Sequence, residues 1–135
     1  MKELDLSIVG KTAMAHTVVD ETNTAKAIAS GSVEVFATPM MIALMELAAC
    51  ECLAGELDPG QTSVGMEISV SHTAASPIGA KITAEATIEA VSGRKVEYSL
   101  KATDEFGEIG AGKHTRVLID EEKFMQKAKA KALSN

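Results

Sequence analysis

Four segments in the second half of the chain alternate apolar and polar residues with a period of two. Each predicts a half-buried β-strand. Over residues 64–72 the even positions are Val64, Met66, Ile68, Val70 and His72, and Gly65, Glu67, Ser69 and Ser71 lie between them. Over residues 82–90 the even positions are Ile82, Ala84, Ala86, Ile88 and Ala90, with Thr and Glu at the odd ones. Val96, Tyr98, Leu100 and Ala102 form the apolar set of the next segment. In residues 109–119 the later odd positions, Thr115, Val117 and Ile119, are expected to face inward. Ser92-Gly93 and Phe106-Gly107 supply the turns.

The first half reads differently. Residues 11–19 are rich in Thr and Val and predict a strand, residues 24–30 an Ala-rich helical turn, and residues 33–37 a short strand. Residues 38–54 are apolar almost all round, which predicts a helix buried on most sides. Thr38 is expected as its N-cap, Pro39 as its first helical residue and Gly55 as its C-terminal cap. Residues 57–61, LDPGQ, predict a turn. A last helix is expected over residues 121–133, capped by Asp120, with glutamates in its first turn and lysines later.

The order strand, long apolar helix, antiparallel strands predicts an α+β fold in which one sheet wraps one helix. No repeat, low-complexity segment or linker divides the chain, so residues 1–135 are expected to form a single domain. A sheet of this kind leaves an edge strand, and pairing with a second copy hides it. A homodimer is therefore expected, with a tetramer left open.

Composition narrows the function. Acidic residues outnumber basic ones by 19 to 13, a net charge of -6, and there are three Phe, one Tyr and no Trp. A nucleic-acid binder shows the opposite charge balance, and single-strand binders need aromatic platforms. The apolar run at residues 39–53 carries Glu46 and Glu51 and is too short and too charged to span a bilayer. No secretory leader is visible at the N-terminus. Cys50 and Cys52 lie two apart on the predicted helix and point to nearly opposite sides, so they are not expected to pair. A reducing, cytoplasmic location fits. No HxxxH, HExxH or CxxC spacing is present, so no metal is expected.

Three residues stand out as candidate chemistry. Glu46 sits inside the apolar helix beside Ile42, Ala43, Ala49 and Cys50, where an unpaired carboxylate would be costly. It is either a structural ion-pair partner or a general base. His72 ends the strand whose alternation turns it toward the helix. Thr38 stands at the helix start, where negative charge is favoured and an oxyanion would be stabilised. Thr38 and Glu46 lie about 12 Å apart along the helix at 1.5 Å per residue, so His72 or a second subunit has to bridge them. His114 and Arg116 share one strand face, and His16 lies on the first strand; both histidines read as structural or surface residues. Gly110 and Gly112 form a GxG too short to imply phosphate binding.

These residues lie in VFATPMMIALMELAACECLAG (35–55), SVGMEISVSHTAASPIGA (63–80) and VSGRKVEYSLKATDEFGEIGAGKHTRVLIDEEKF (91–124). From about Val33 onward the chain resembles the hot-dog thioesterases related to fluoroacetyl-CoA thioesterase. The resemblance implies a hot-dog fold, a homodimer and hydrolysis of a short acyl-CoA. It also implies Thr38, Glu46 and His72 as the catalytic group, with Gly65 near the thioester and Arg116 near the substrate pocket. Coenzyme A then belongs to the substrate, and no separate cofactor is implied. Its phosphates need cations such as Arg94, Lys95, Lys113 or Arg116. The fluoroacetyl enzyme carries an aromatic lid before the helix, whereas the matching segment here, AKAIASGSVEVF, has only Phe36, beside Thr38. Fluoroacetyl-CoA is accordingly not the implied substrate. An acyl-CoA binding module without turnover is the main alternative. A hydratase would need an Asp and a His placed to protonate an enoyl group, and no such pairing is seen; a purely structural dimerisation protein offers no account of a Glu in an apolar helix facing an inward His.

Overall fold

A computed structural model of the chain describes residues 3–133. Its strands are β1 (Thr12–Val18), β2 (Gln61–His72), β3 (Lys81–Ser92), β4 (Lys95–Asp104) and β5 (Gly107–Asp120). Helix α1 (Thr38–Cys52) separates β1 from β2, and α2 (Glu121–Leu133) follows β5. The strands form one antiparallel sheet in the order β1-β3-β4-β5-β2. The fold is α+β, a hot-dog arrangement with the sheet curved around α1.

The alternation in β3 and β4 builds the inner face. Ile82, Ala84, Ala86 and Ile88 of β3 are buried, as are Val96, Tyr98, Leu100 and Ala102 of β4. Opposite them α1 contributes Met41, Leu44, Met45, Ala48, Ala49 and Cys52. Alanines on β3 let a helix lined with long methionine side chains lie close to the sheet. Cys52 is buried and Cys50 exposed, and both are free.

Three strands depart from simple alternation. In β3 the pairing with β4 shifts between Ile88 and Ala90, so Ala90 lies opposite Glu97, and Val91, not the expected Ala90, packs against the core. In β5 from Lys113 onward the buried residues are the even ones, His114, Arg116 and Leu118, so Thr115, Val117 and Ile119 take the outer face instead of the expected inner one; Ile109, at a register shift against β4, is buried as well. Charged residues pass for a solvent face in a sequence; here they point inward because they find partners there. In β2 the pairing with β5 shifts between Gly65 and Glu67. This bulge inserts Met66, which is exposed, and reverses the facing of the strand before it. Ile68, Val70 and His72 keep their predicted side.

The boundaries of α1 also differ. Its N-cap is Ala37, in extended conformation, and Thr38 is already helical. Its C-terminal end tightens after Cys52 into three-residue hydrogen bonds, Leu53 N–H to Cys50 and Ala54 N–H to Glu51. Gly55 follows at φ +79°, a conformation that favours glycine. Asp120 caps α2 as expected, accepting from the Lys123 amide at 3.0 Å. Residues 24–30 form a single turn closed by Ile28 N–H on Thr24 O, and residues 33–37 reduce to isolated bridges at Val35 and Phe36. Among the described residues no helix is long and apolar enough to cross a membrane.

Gly110 pairs with His72 across the β5–β2 ladder. A Cβ at Gly110 would lie 2.7 Å from both Met41 Sδ and the Ser71 carbonyl oxygen. The glycine therefore serves close packing, and because one obstacle is backbone the sheet itself must yield. Gly110→Ala is expected to destabilise the fold by about 1–3 kcal/mol, the usual cost of overpacking, read as a lower urea midpoint.

Candidate active site

The polar residues between α1 and the sheet fall into two clusters. The first joins the start of α1 to the end of β2. Because Ala37 takes the capping position, the Thr38 hydroxyl is free to bond His72, Oγ1 to Nδ1 at 2.8 Å. Burial pushes the His72 pKa below the ordinary 6.5, and the backbone of Ala74 offsets part of that. The ring is thus neutral at neutral pH, and its Nδ1 lone pair can accept the Thr38 proton. A cavity of about 250 Å³ opens beside this pair, lined by Ala25, Val35, Phe36, Thr73 and Ala75 as well as Thr38 and His72. The start of the helix offers few free amides. Pro39 has none, and the Met40 and Met41 amides both donate to Ala37 O at 3.0 Å.

The second cluster centres on Arg116, which is only 6% exposed. Its Nε donates to Ser63 Oγ at 2.8 Å and its Nη2 to the Ser63 carbonyl at 3.1 Å. Its Nη1 donates to Glu46 Oε2 at 3.2 Å and to His114 Nε2 at 3.1 Å. His114 Nδ1 lies 2.7 Å from the Glu67 carbonyl oxygen, and the ring stacks on Tyr98. Burial holds the His114 pKa below 6.5, with the Glu67 carbonyl opposing. Gly65 floors the cluster: a Cβ there would stand 2.8 Å from Glu46 Oε2 and 3.4 Å from His114 Cε1.

This arrangement revises several expectations. Glu46 is not an unpaired carboxylate inside the core; its side chain is 40% exposed and ion-paired to Arg116. Thr38 is not the N-cap. Arg116 is committed to Ser63, Glu46 and His114, so it is not available for coenzyme A phosphates. Arg94, Lys95 and Lys113 remain exposed. His114 is not peripheral, and with Ser63 it is a site component missed in the sequence. The signal was there in the shared face of His114 and Arg116, opposite a helical Glu. His16 is a surface residue, bonded to Thr83 Oγ1 at 3.0 Å. Phe36 is buried against the Thr38–His72 cavity.

The two clusters do not meet within one chain. Gly110, paired with His72, and Arg116 are six residues apart on β5, about 20 Å at 3.3 Å per residue. Both clusters lie on the inner side of β2, the strand at one edge of the sheet among the described residues.

Comparison with known proteins bears on the family and the fold. Residues 19–122 match the family described as fluoroacetyl-CoA-specific thioesterase. The chain is 44% identical over 98 residues to a fluoroacetyl-CoA thioesterase of Streptantibioticus cattleyicolor, covering 73% of this chain and 70% of that protein. A crystal structure of a fluoroacetyl-CoA thioesterase superposes with a TM-score of 0.87 at 37% identity, covering 91% of this chain and 96% of that one. A thioesterase superfamily member from Thermus thermophilus superposes with a TM-score of 0.85 at 26% identity, over 100% of both chains.

Two outcomes test the local geometry. Gly65→Ala is expected to push the flexible Glu46 carboxylate off Arg116 while leaving the fold intact, so thioester turnover falls by about tenfold or more at an unchanged melting temperature. Both His72 and His114 have native pKa values below the unfolded 6.5. Below 6.5 the unfolded chain binds more protons at these rings, so their contribution to stability is complete above 6.5 and is lost as pH falls through the native values. Histidine NMR titration should place both midpoints below 6.5; a midpoint at or above 6.5 for either ring would contradict burial as the governing effect.

Proposed function

The chain belongs to the fluoroacetyl-CoA-specific thioesterase family and is a thioester hydrolase, and on that footing we propose that it hydrolyses a short-chain acyl-CoA at a site shared between two copies. The observation that carries the shared site is the division of the polar residues into two clusters along the unpaired edge of β2. Antiparallel pairing of two β2 strands about a two-fold axis at Ser69 sets His72 of one copy opposite Gly65 of the other, because the bulged Met66 drops out of the register. Thr38 and His72 then approach Glu46, Gly65 and Arg116 across the interface. The same pairing satisfies the exposed edge of a 12-residue strand.

In this reading the acyl group occupies the cavity beside Phe36, whose volume of about 250 Å³ suits a short chain. Arg116 holds Glu46 by Oε2, leaving Oε1 for the reaction. Two routes use that oxygen. As a base it takes a proton from water while the water oxygen adds to the thioester carbon. As a nucleophile it adds to that carbon itself, and water then cleaves the resulting anhydride. In both the C–S bond breaks, and the thiolate takes a proton given up by the attacking water. The neutral His72 holds the Thr38 hydroxyl in place and can relay that proton.

The test is free-thiol release from a panel of short acyl-CoAs. Glu46→Gln and His72→Ala should each lower turnover by about a hundredfold or more, the scale of a lost acid or base, with the fold preserved. Wild-type protein that binds acyl-CoA and releases no thiol would instead support the binding module. Mixing tests the sharing. A Thr38→Ala chain and a Glu46→Gln chain, each inactive alone, should recover activity when unfolded and refolded together, because one of the two sites in a mixed dimer is then intact. No recovery from a confirmed mixed dimer would place the whole site within one chain.

A further inference from the structure

The geometry points to His114 as a positioning residue: its unprotonated Nε2 holds the Arg116 guanidinium in the orientation that aims Glu46. This deepens the hydrolytic reading above and rests on it.

Hydrogen-bond chemistry decides the tautomer. The Glu67 carbonyl can only accept, so His114 Nδ1, 2.7 Å away, carries a proton and donates it. An arginine can only donate, so His114 Nε2, 3.1 Å from Arg116 Nη1, presents its lone pair. The chain of donors runs from Arg116 to His114 to Glu67, and the other hydrogen of Nη1 goes to Glu46 Oε2. His114 Nε2 itself stands 3.9 Å from Glu46 Oε2, too far for a hydrogen bond, so its influence on the carboxylate passes through the guanidinium.

The surroundings keep the ring in this state. His114 is 3% exposed and lies between β4 and β2 neighbours. The groups facing it are Glu46 from α1, the Glu67 backbone from β2, Tyr98 from β4 and Arg116 on its own strand. A second proton on the ring would set a cation against Arg116 and remove the acceptor. Burial opposes that protonation. The β2 bulge provides the anchor, because it lies between Gly65, beneath the carboxylate, and Glu67, whose carbonyl receives Nδ1. Four of the five Arg116 hydrogens are thereby directed. Ser63 fixes one side of the guanidinium and His114 the other.

Three substitutions test this. His114→Phe keeps a ring against Tyr98 but removes the acceptor. His114→Asn can still donate to Glu67 but does not reach Arg116. His114→Gln places a carbonyl oxygen near the Nε2 position. Phe and Asn should each lower kcat by about 10- to 100-fold with KM within about threefold of wild type, the range for loss of a hydrogen-bond partner that orients a reacting group. Gln should recover most of that loss. Equal losses in all three, tracking melting temperature, would reduce His114 to a packing residue and overturn the proposal, as would wild-type kcat in Phe and Asn. A variant that fails to fold leaves the wild-type protein as the arbiter. Its histidine 15N spectrum should show His114 protonated at Nδ1 and unprotonated at Nε2, and the opposite tautomer would overturn the proposal. The spectrum needs no turnover. If wild-type protein released no thiol while His114 showed the expected tautomer, the hydrolytic reading would fail and the catalytic part of this proposal with it, leaving the hydrogen-bond assignment standing.

Discussion

A 15-residue helix that is apolar on nearly every side must be covered, and that requirement organises the molecule. The sheet covers one face by curving around α1, with β1 and β3 lying directly across it, while Ala43, Leu47 and Cys50 stay exposed on the other, contrary to the expectation of a helix buried on most sides. Small residues on those strands, Ala15, Ala84 and Ala86, bring the backbones close enough for Met41 and Met45 to fill the space between. Gly110 extends the same logic to β5, where Met41 lies against the strand without room for a side chain. Helix and sheet are thus fitted by volume, and the placement of each polar group follows from where that fit leaves an opening.

The opening lies along β2. Glu46 reaches from α1 to the sheet there, and its charge is met by Arg116 from β5, which would itself be costly to bury unpaired. The guanidinium is satisfied by Ser63, Glu46 and His114 together, and the planar fork suits that set of acceptors. The glycine at 65 makes the approach possible, since any side chain there would occupy the carboxylate's place. The bulge beside it turns β2 so that Gly65 and His72 both face α1 from opposite ends of the strand. One irregularity in one strand therefore places both clusters on the same side of the sheet.

How much of this could be read in advance depends on the kind of pattern involved. In β4, and in β3 as far as Ile88, the buried residues are the apolar ones, and their alternation identified the inner face correctly; beyond Ile88 a register shift puts Val91 in the place expected for Ala90. In β5 the inner face contains His114 and Arg116, and hydropathy assigned those positions to solvent. Their burial depends on Glu46 and Ser63, which are distant in sequence and enter only when the strands are assembled. Met66 misled for a different reason: an inserted residue leaves no mark in a composition-based alternation. Thr38 before proline read as a cap, but the extended Ala37 took that position and released the hydroxyl toward His72.

The sequence by itself determined the layers: one apolar helix, a run of alternating strands, the turns between them, and an isolated Glu that needed a partner. Those are consequences of local periodicity and of the cost of burying charge, and both act over short stretches of chain. Tertiary structure decided which groups meet. Thr38 finds His72 34 residues away, and Glu46 finds Arg116 70 residues away, through strand pairing and a bulge. Such contacts are set by register and volume across the whole sheet, so the identity of each partner becomes legible only once the chain has closed around α1.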